Sequence, residues 1–164
     1  MSKAIRLLGA LLIGLIIYSN VSYASNWKWV FSSDTSGYYI DTSSLICEPT
    51  YYAEIGYGVG YVCFWDMVKF EDENYRQQQE NELQRYYPGV DFSNFYYAIA
   101  KEEFLYQRNS IYNRILTTNF YRKDNTLITS DRIKGRWNEV PPGTVGEKMY
   151  YKALELGNYV NKRR

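Results

Sequence analysis

Histidine is missing from all 164 residues. Its absence excludes Ser-His-Asp and Cys-His catalysis and every histidine-ligated metal. An enzyme built on this chain would have to use paired carboxylates, a lysine or a tyrosine. Cysteine is nearly as scarce, with only Cys47 and Cys63. Two thiols without histidine fill half a zinc shell, so no metal and no other cofactor is implied. Charge of either sign is not in excess, at 19 basic against 18 acidic residues. The chain therefore lacks the basic face that displaces counterions from nucleic acid, and no nucleic-acid partner is expected. The one basic cluster, Lys162-Arg163-Arg164, reads as a solvated end that complements the dipole of a final helix. Beyond the N-terminus no long apolar run occurs.

What is present starts with a leader. Lys3 and Arg6 precede an apolar run from Leu7 to Ile17, and Ser22-Tyr23-Ala24 places small residues where a signal peptidase accepts them. The expectation is a signal peptide over residues 1–24 and a single domain over 25–164, exported to the periplasm, the cell surface or the medium. The alternative is an uncleaved anchor, but the run falls short of the ~20 residues a span needs. After cleavage no membrane span is expected. Loss of Lys3 and Arg6 leaves 17 basic and 18 acidic residues, a net charge of −1. No cysteine follows the cut, so there is no lipoprotein acylation signal. An even cysteine count in an exported chain suggests a Cys47–Cys63 disulfide, contributing roughly 3 kcal/mol. Two buried free thiols are the alternative.

The periodicities favour strands. Trp27, Trp29 and Phe31 alternate on one face of a first strand, and Tyr38-Tyr39-Ile40 forms its partner across a Ser/Thr/Gly turn. Tyr51 to Phe70 reads as two strands with Gly56, Gly58 and Gly60 at the bend. That spacing does not match a dinucleotide fingerprint or a P-loop. Glu71 to Tyr87 suits a polar helix with a thin apolar stripe, or a long loop. Residues 95–107 mix strand alternation with helix propensity, and a strand is favoured from the surroundings. Ile111 to Tyr121 and Thr126 to Thr129 form a hairpin around Lys123-Asp124-Asn125. Thr144 and Glu147 complete a capping box, with Val145, Met149, Ala153, Leu156 and Val160 on one face of a closing helix. The fold class is α+β: an antiparallel sheet of about six strands, a C-terminal helix packed on it, and a polar insertion in mid-chain.

Tyrosine is the compositional outlier, with 17 outside the leader. Tyr51, Tyr52, Tyr57 and Tyr61 cluster near the cysteines and form a candidate protein-binding surface, because tyrosine offers a large amphipathic contact at low entropic cost. Cross-strand aromatic pairing is the competing reading. Trp27, Trp29, Trp65 and Trp137 could stack on sugar rings if they converged. Trp137 reads more simply as a core residue under the last helix. Glu102-Glu103 and Glu71-Asp72-Glu73 could offer paired carboxylates for glycoside hydrolysis. Adjacent carboxylates on a strand point to opposite faces, however, and acids at a helix start are usually solvated. No catalytic residue is therefore assigned, and the chain is read as a non-enzyme.

Three segments carry a resemblance. They are Trp27 with Tyr38-Tyr39-Ile40-Asp41, then Arg114-Ile115-Leu116 through Tyr121 with Lys123-Asp124-Asn125-Thr126-Leu127-Ile128, and finally Trp137-Asn138-Glu139-Val140-Pro141-Pro142-Gly143-Thr144-Val145-Gly146-Glu147. In this order they resemble the surface-adhesin protein E family of exported bacterial proteins. The resemblance implies an antiparallel sheet with a docked helix, surface exposure, and binding of host extracellular-matrix or plasma proteins, with a homodimer compatible with it. This chain departs from the family in having no lipid-anchor cysteine. The leading expectation is an exported, non-enzymatic domain that binds a protein ligand. The alternative is a periplasmic accessory or structural protein without a host ligand.

Overall fold

The structure is a computed structural model describing residues 25–52, 56–132 and 134–158, with side chains described outside 49–59. The leader and its cleavage point, Val160 and the basic tail lie outside the described residues. Strands β1 (Trp27–Ser32), β2 (Ser36–Asp41), β3 (Ile46–Tyr52) and β4 (Gly56–Phe70) come first, followed by helix α1 (Glu73–Tyr86). Then follow β5 (Phe95–Gln107), β6 (Ser110–Arg122), β7 (Leu127–Asp131), β8 (Asn138–Glu139) and helix α2 (Val145–Leu156). The strands build one sheet in the order β1-β2-β4-β5-β6-β7, with β3 on β4 and β8 on β6, and every pairing is antiparallel. This is the expected α+β class. No helix among the described residues is long and apolar enough to cross a membrane.

Strand β4 organises the sheet. One edge pairs with β5 along residues 61–69, while the other is shared by β2 at 66–70 and β3 at 56–63. Between those two partners the Trp65 N–H would lack an acceptor, and it donates instead to Ser44 Oγ at 2.9 Å. Ser44 is held there by a turn built on Asp41, whose Oδ1 accepts from Asn26 N, Ser43 N and Ser43 Oγ. The glycines do not make the bend. Gly56, Gly58 and Gly60 lie within β4 itself, and the chain reverses between Tyr52 and Gly56. Residues 56–59 pair with β3 alone and Gly60 is the extra residue of a bulge, so this end of the hairpin runs on as a two-stranded ribbon past the last β4–β5 pair, Tyr61 with Leu105. The β5–β6 hairpin closes through Arg108 and Asn109, both at positive φ, the geometry of a two-residue turn matching strand twist.

Both helices cover the same face of the sheet. On it, Val30, Ile40, Val62, Phe64, Phe104 and Ile111 pack against Met149, Tyr150 and Ala153 of α2. Phe64 and Phe104 stack with centroids 5.4 Å apart. A second cluster of Phe92, Phe95 and Phe120 packs with Leu83 and Tyr87 at the α1 end. The thin stripe of α1 therefore suffices, because the aromatic rings come mainly from the loop and strands. Asp72 caps α1, accepting from Tyr75 N at 2.7 Å.

Two expectations about faces change. Phe31 does not share a face with Trp27 and Trp29: a β-bulge at Val30 turns it to the helix side, where it stacks on Tyr38 at 4.6 Å. On α2, Tyr150 joins Met149 and Ala153 in the core while Val145 is exposed. The cap at Thr144 forms, accepting from Glu147 N, but the Glu147 carboxylate reaches back to Gly143 N at 2.6 Å rather than to Thr144. Gly143 sits at φ +80°, which a residue with Cβ adopts only with strain.

Candidate binding face

With both helices on one side, the other face of the sheet carries no described helix. Alternation along paired strands assigns its side chains. Trp29 stands across from Tyr39, which stands across from Met67, then Ile99 and Asn119. Trp65 stands across from Lys101 and Thr117, Cys63 from Glu103 and Arg114, and Tyr97 stacks on Tyr121 at 4.8 Å. Lys69 lies over the Tyr39 ring at 5.1 Å. Trp27 and Trp29 precede the bulge and share this face, with Trp29 60% exposed.

Its centre is an ion pair. Glu103 is buried, and it accepts from the Tyr61 hydroxyl at 2.7 Å and from Arg114 Nε. Burial pushes the Glu103 carboxyl up, but the bonds from Tyr61 and Arg114 outweigh it and hold the group below the usual range. Burial and the same hydrogen bond raise the Tyr61 hydroxyl. The Arg114 guanidinium lies 4.3 Å from the centre of the Trp137 ring. Trp137 is thus not a core residue under the last helix. It is 37% exposed, and it covers the outer side of the arginine. Stacking of this kind suits arginine, whose planar cation can bond a carboxylate at its edge while a ring covers its face.

The disulfide expectation is corrected by the register. Cys47 pairs with Val62, whereas Cys63 pairs with Ile46. Because Val62 and Cys63 are neighbours on one strand, their side chains point to opposite faces, and so do the two cysteines. Cys47 packs against the α2 cluster, while Cys63 is a buried free thiol beside Tyr61. Burial raises both thiols, Cys47 to about 11, which leaves neither a ready thiolate nucleophile.

Of the four candidate tyrosines, the side chains of Tyr51, Tyr52 and Tyr57 lie outside the described residues. The backbone register sets Tyr51 opposite Tyr57 and Tyr52 opposite Gly56 on the ribbon. Tyr61 is half-buried and directed to Glu103. Glu102 and Glu103 do face opposite sides, Glu102 pairing with Phe64 of the helix face. Sequence reasoning missed the partner of Glu102: Asp66, two positions along β4 from Phe64, lies diagonal to it on the same face. Burial, then the charge of Glu102, raises Asp66, and burial raises Glu102 to about 7. The only available signal was an Asp inside an aromatic and β-branched run, where a lone charge is out of pattern.

In comparisons with known proteins, no family model, no curated protein and no solved structure matches this chain.

Proposed function

We propose that this chain is an exported, non-enzymatic binding domain that holds a protein ligand on the open face of its sheet and on the tyrosine ribbon beside it. The observation that carries the reading is the gathering of Trp27, Trp29, Trp65 and Trp137 on the one face that no described helix covers. A single-layer sheet face that is rich in aromatic rings and only partly exposed matches the composition of interface cores, where tryptophan, tyrosine and arginine dominate. The Glu103–Arg114 pair supports it from below, fixing Trp137 without placing an uncompensated charge on the surface. The family resemblance points to extracellular-matrix or plasma proteins as ligands.

The test is a binding screen of the purified protein against immobilised matrix and plasma proteins, with a glycan panel alongside, and protease shaving of intact cells. Saturable binding to a protein, lost in Trp29→Ala but retained in a variant on the helix side such as Tyr151→Ala, supports the reading. Saturable binding to glycans alone would make the tryptophans a sugar platform. No binding, with the protein protected behind an intact outer membrane, would favour a periplasmic accessory role.

A further inference from the structure

Helix α2 and strand β1 do not close fully against each other. Between them lies a groove of about 700 Å³, lined by Val30 and Phe31 of β1 and by Lys148, Tyr151, Lys152 and Glu155 of α2. The spacing of the four helical residues puts them on one face of α2. The bulge at Val30 turns two successive β1 side chains, Val30 and Phe31, toward this stripe and gives the groove an apolar floor. Phe31 is held there by its stack on Tyr38 at 4.6 Å. Lys148 is exposed, and its Nζ lies 5.4 Å from the centre of the Phe31 ring. No carboxylate among the described residues is in salt-bridge reach of it. Lys152 is tied to Glu155 at 2.8 Å. Lys28, two residues before Val30, is exposed on the same side of β1. Three lysines against one glutamate leave the groove positive. The strand beside it is an edge: β1 pairs with β2 alone, and among the described residues no hydrogen bond takes up its outer main-chain groups.

We propose that the groove between β1 and α2 holds an extended, acidic peptide segment of a partner protein, with an apolar or aromatic side chain over Val30 and Phe31 and a carboxylate on Lys148. An apolar side chain alone would leave Lys148 unanswered. A uniform polyanion would leave the apolar floor uncovered. A segment that carries both groups satisfies both features. The free edge of β1 suits an extended chain, since main-chain pairing along Trp27–Trp29 would align it beside the groove. A second copy of this protein is disfavoured at the same edge, because it would set its own three lysines against these three. The bulge would also interrupt the ladder that two β1 strands would build. The groove opens on the helix side, so this inference is separate from the open-face reading and does not rest on it.

The experiment probes the purified protein with an array of random decapeptides. The strongest-binding peptide is then titrated into isotopically labelled protein, and backbone amide shifts are followed. The expected result is that bound peptides are enriched in Asp or Glu together with Phe, Trp or Leu, with shifts confined to residues 27–32 and 145–156. Lys148→Glu should weaken that peptide by about tenfold or more. Lys123→Glu, the same charge change on the β6–β7 turn at the far edge of the sheet, should leave its affinity unchanged. Both lysines are exposed, so neither variant threatens the fold. No selection for acidic peptides would overturn the proposal. So would equal weakening by the two variants, which would mark a general effect of net charge. Shifts centred instead on Trp65, Lys101 and Thr117 would move the peptide to the open face, overturning the groove while leaving the open-face reading standing.

Discussion

Replacing Glu102 by glutamine should remove a loss of stability that sets in as pH rises. Burial lifts the Glu102 carboxyl from 4.5 to about 7 in the folded protein, while the unfolded chain keeps the ordinary value. Between those two values the folded state holds a proton that the unfolded state has released. Stability then falls as pH rises through that window, and it is flat above it. At about 1.4 kcal/mol per pH unit, the loss across the window comes to about 3 kcal/mol. Glutamine keeps the shape and does not ionise, and its amide can donate to the unpartnered Asp66 Oδ1. The variant should match the parent near pH 4.5 and exceed it by up to about 3 kcal/mol near pH 8. Asp66, diagonal to Glu102 and itself raised by burial and then by the Glu102 charge, titrates together with it, so the difference belongs to the pair, whereas Glu103 is held low and titrates below this window. Glu103 is on the opposite face, so its contribution largely cancels when the two proteins are subtracted. The assay is urea unfolding followed by aromatic fluorescence at a series of pH values. Parallel pH curves for the two proteins, or a variant less stable near pH 8, would refute the argument that Glu102 is held protonated by its surroundings.

Arg114→Ala should cost about 3–5 kcal/mol in chemical denaturation, because it leaves Glu103 buried without its cation, whereas Trp137→Ala should cost less. In the same network Glu103 is held low, so its stabilising contribution should be fully present above the usual carboxylate range and be lost progressively as pH falls from that range to its depressed value, an acid limb that chemical denaturation at a series of low pH values would record. Reductant should leave the unfolding midpoint unchanged, since the cysteines face opposite sides; a loss of about 2–4 kcal/mol on reduction would reveal a bond and a different register. Thr144→Ala should cost about 1 kcal/mol of stability by uncapping α2, and an unchanged thermal midpoint would place the helix start elsewhere. Phe64→Ala should cost about 3–5 kcal/mol, because Phe64 is fully buried at the centre of the α2 cluster; a cost below about 1 kcal/mol would mean that cluster is loosely packed.

Local pattern was enough for much of this molecule. Alternating aromatic and β-branched residues dictate strands, and the Thr144 cap with its apolar periodicity dictates α2. The doubtful stretch at 95–107 became a strand, because β4 and β6 offer it partners on both edges and that pairing overrides the helix propensity of Ala98 to Glu103. The rule that neighbouring strand residues face apart already separated Glu102 from Glu103. It could not say who joins them, because a partner on another strand depends on register, and register is a property of the assembled sheet. One residue of register decides that Cys47 and Cys63 cannot meet, that Asp66 and Glu102 do, and that Arg114 stands beside Glu103. One extra residue at Val30 sends Phe31 to the opposite face from the tryptophans. The face left open is likewise a tertiary outcome: it follows from both helices packing on the same side, which no single segment encodes. Sequence by itself settled the kinds of elements and the chemistry the chain lacks. The tertiary structure alone decided which side chains face one another, since contacts between strands far apart in the chain form only when the whole sheet pairs.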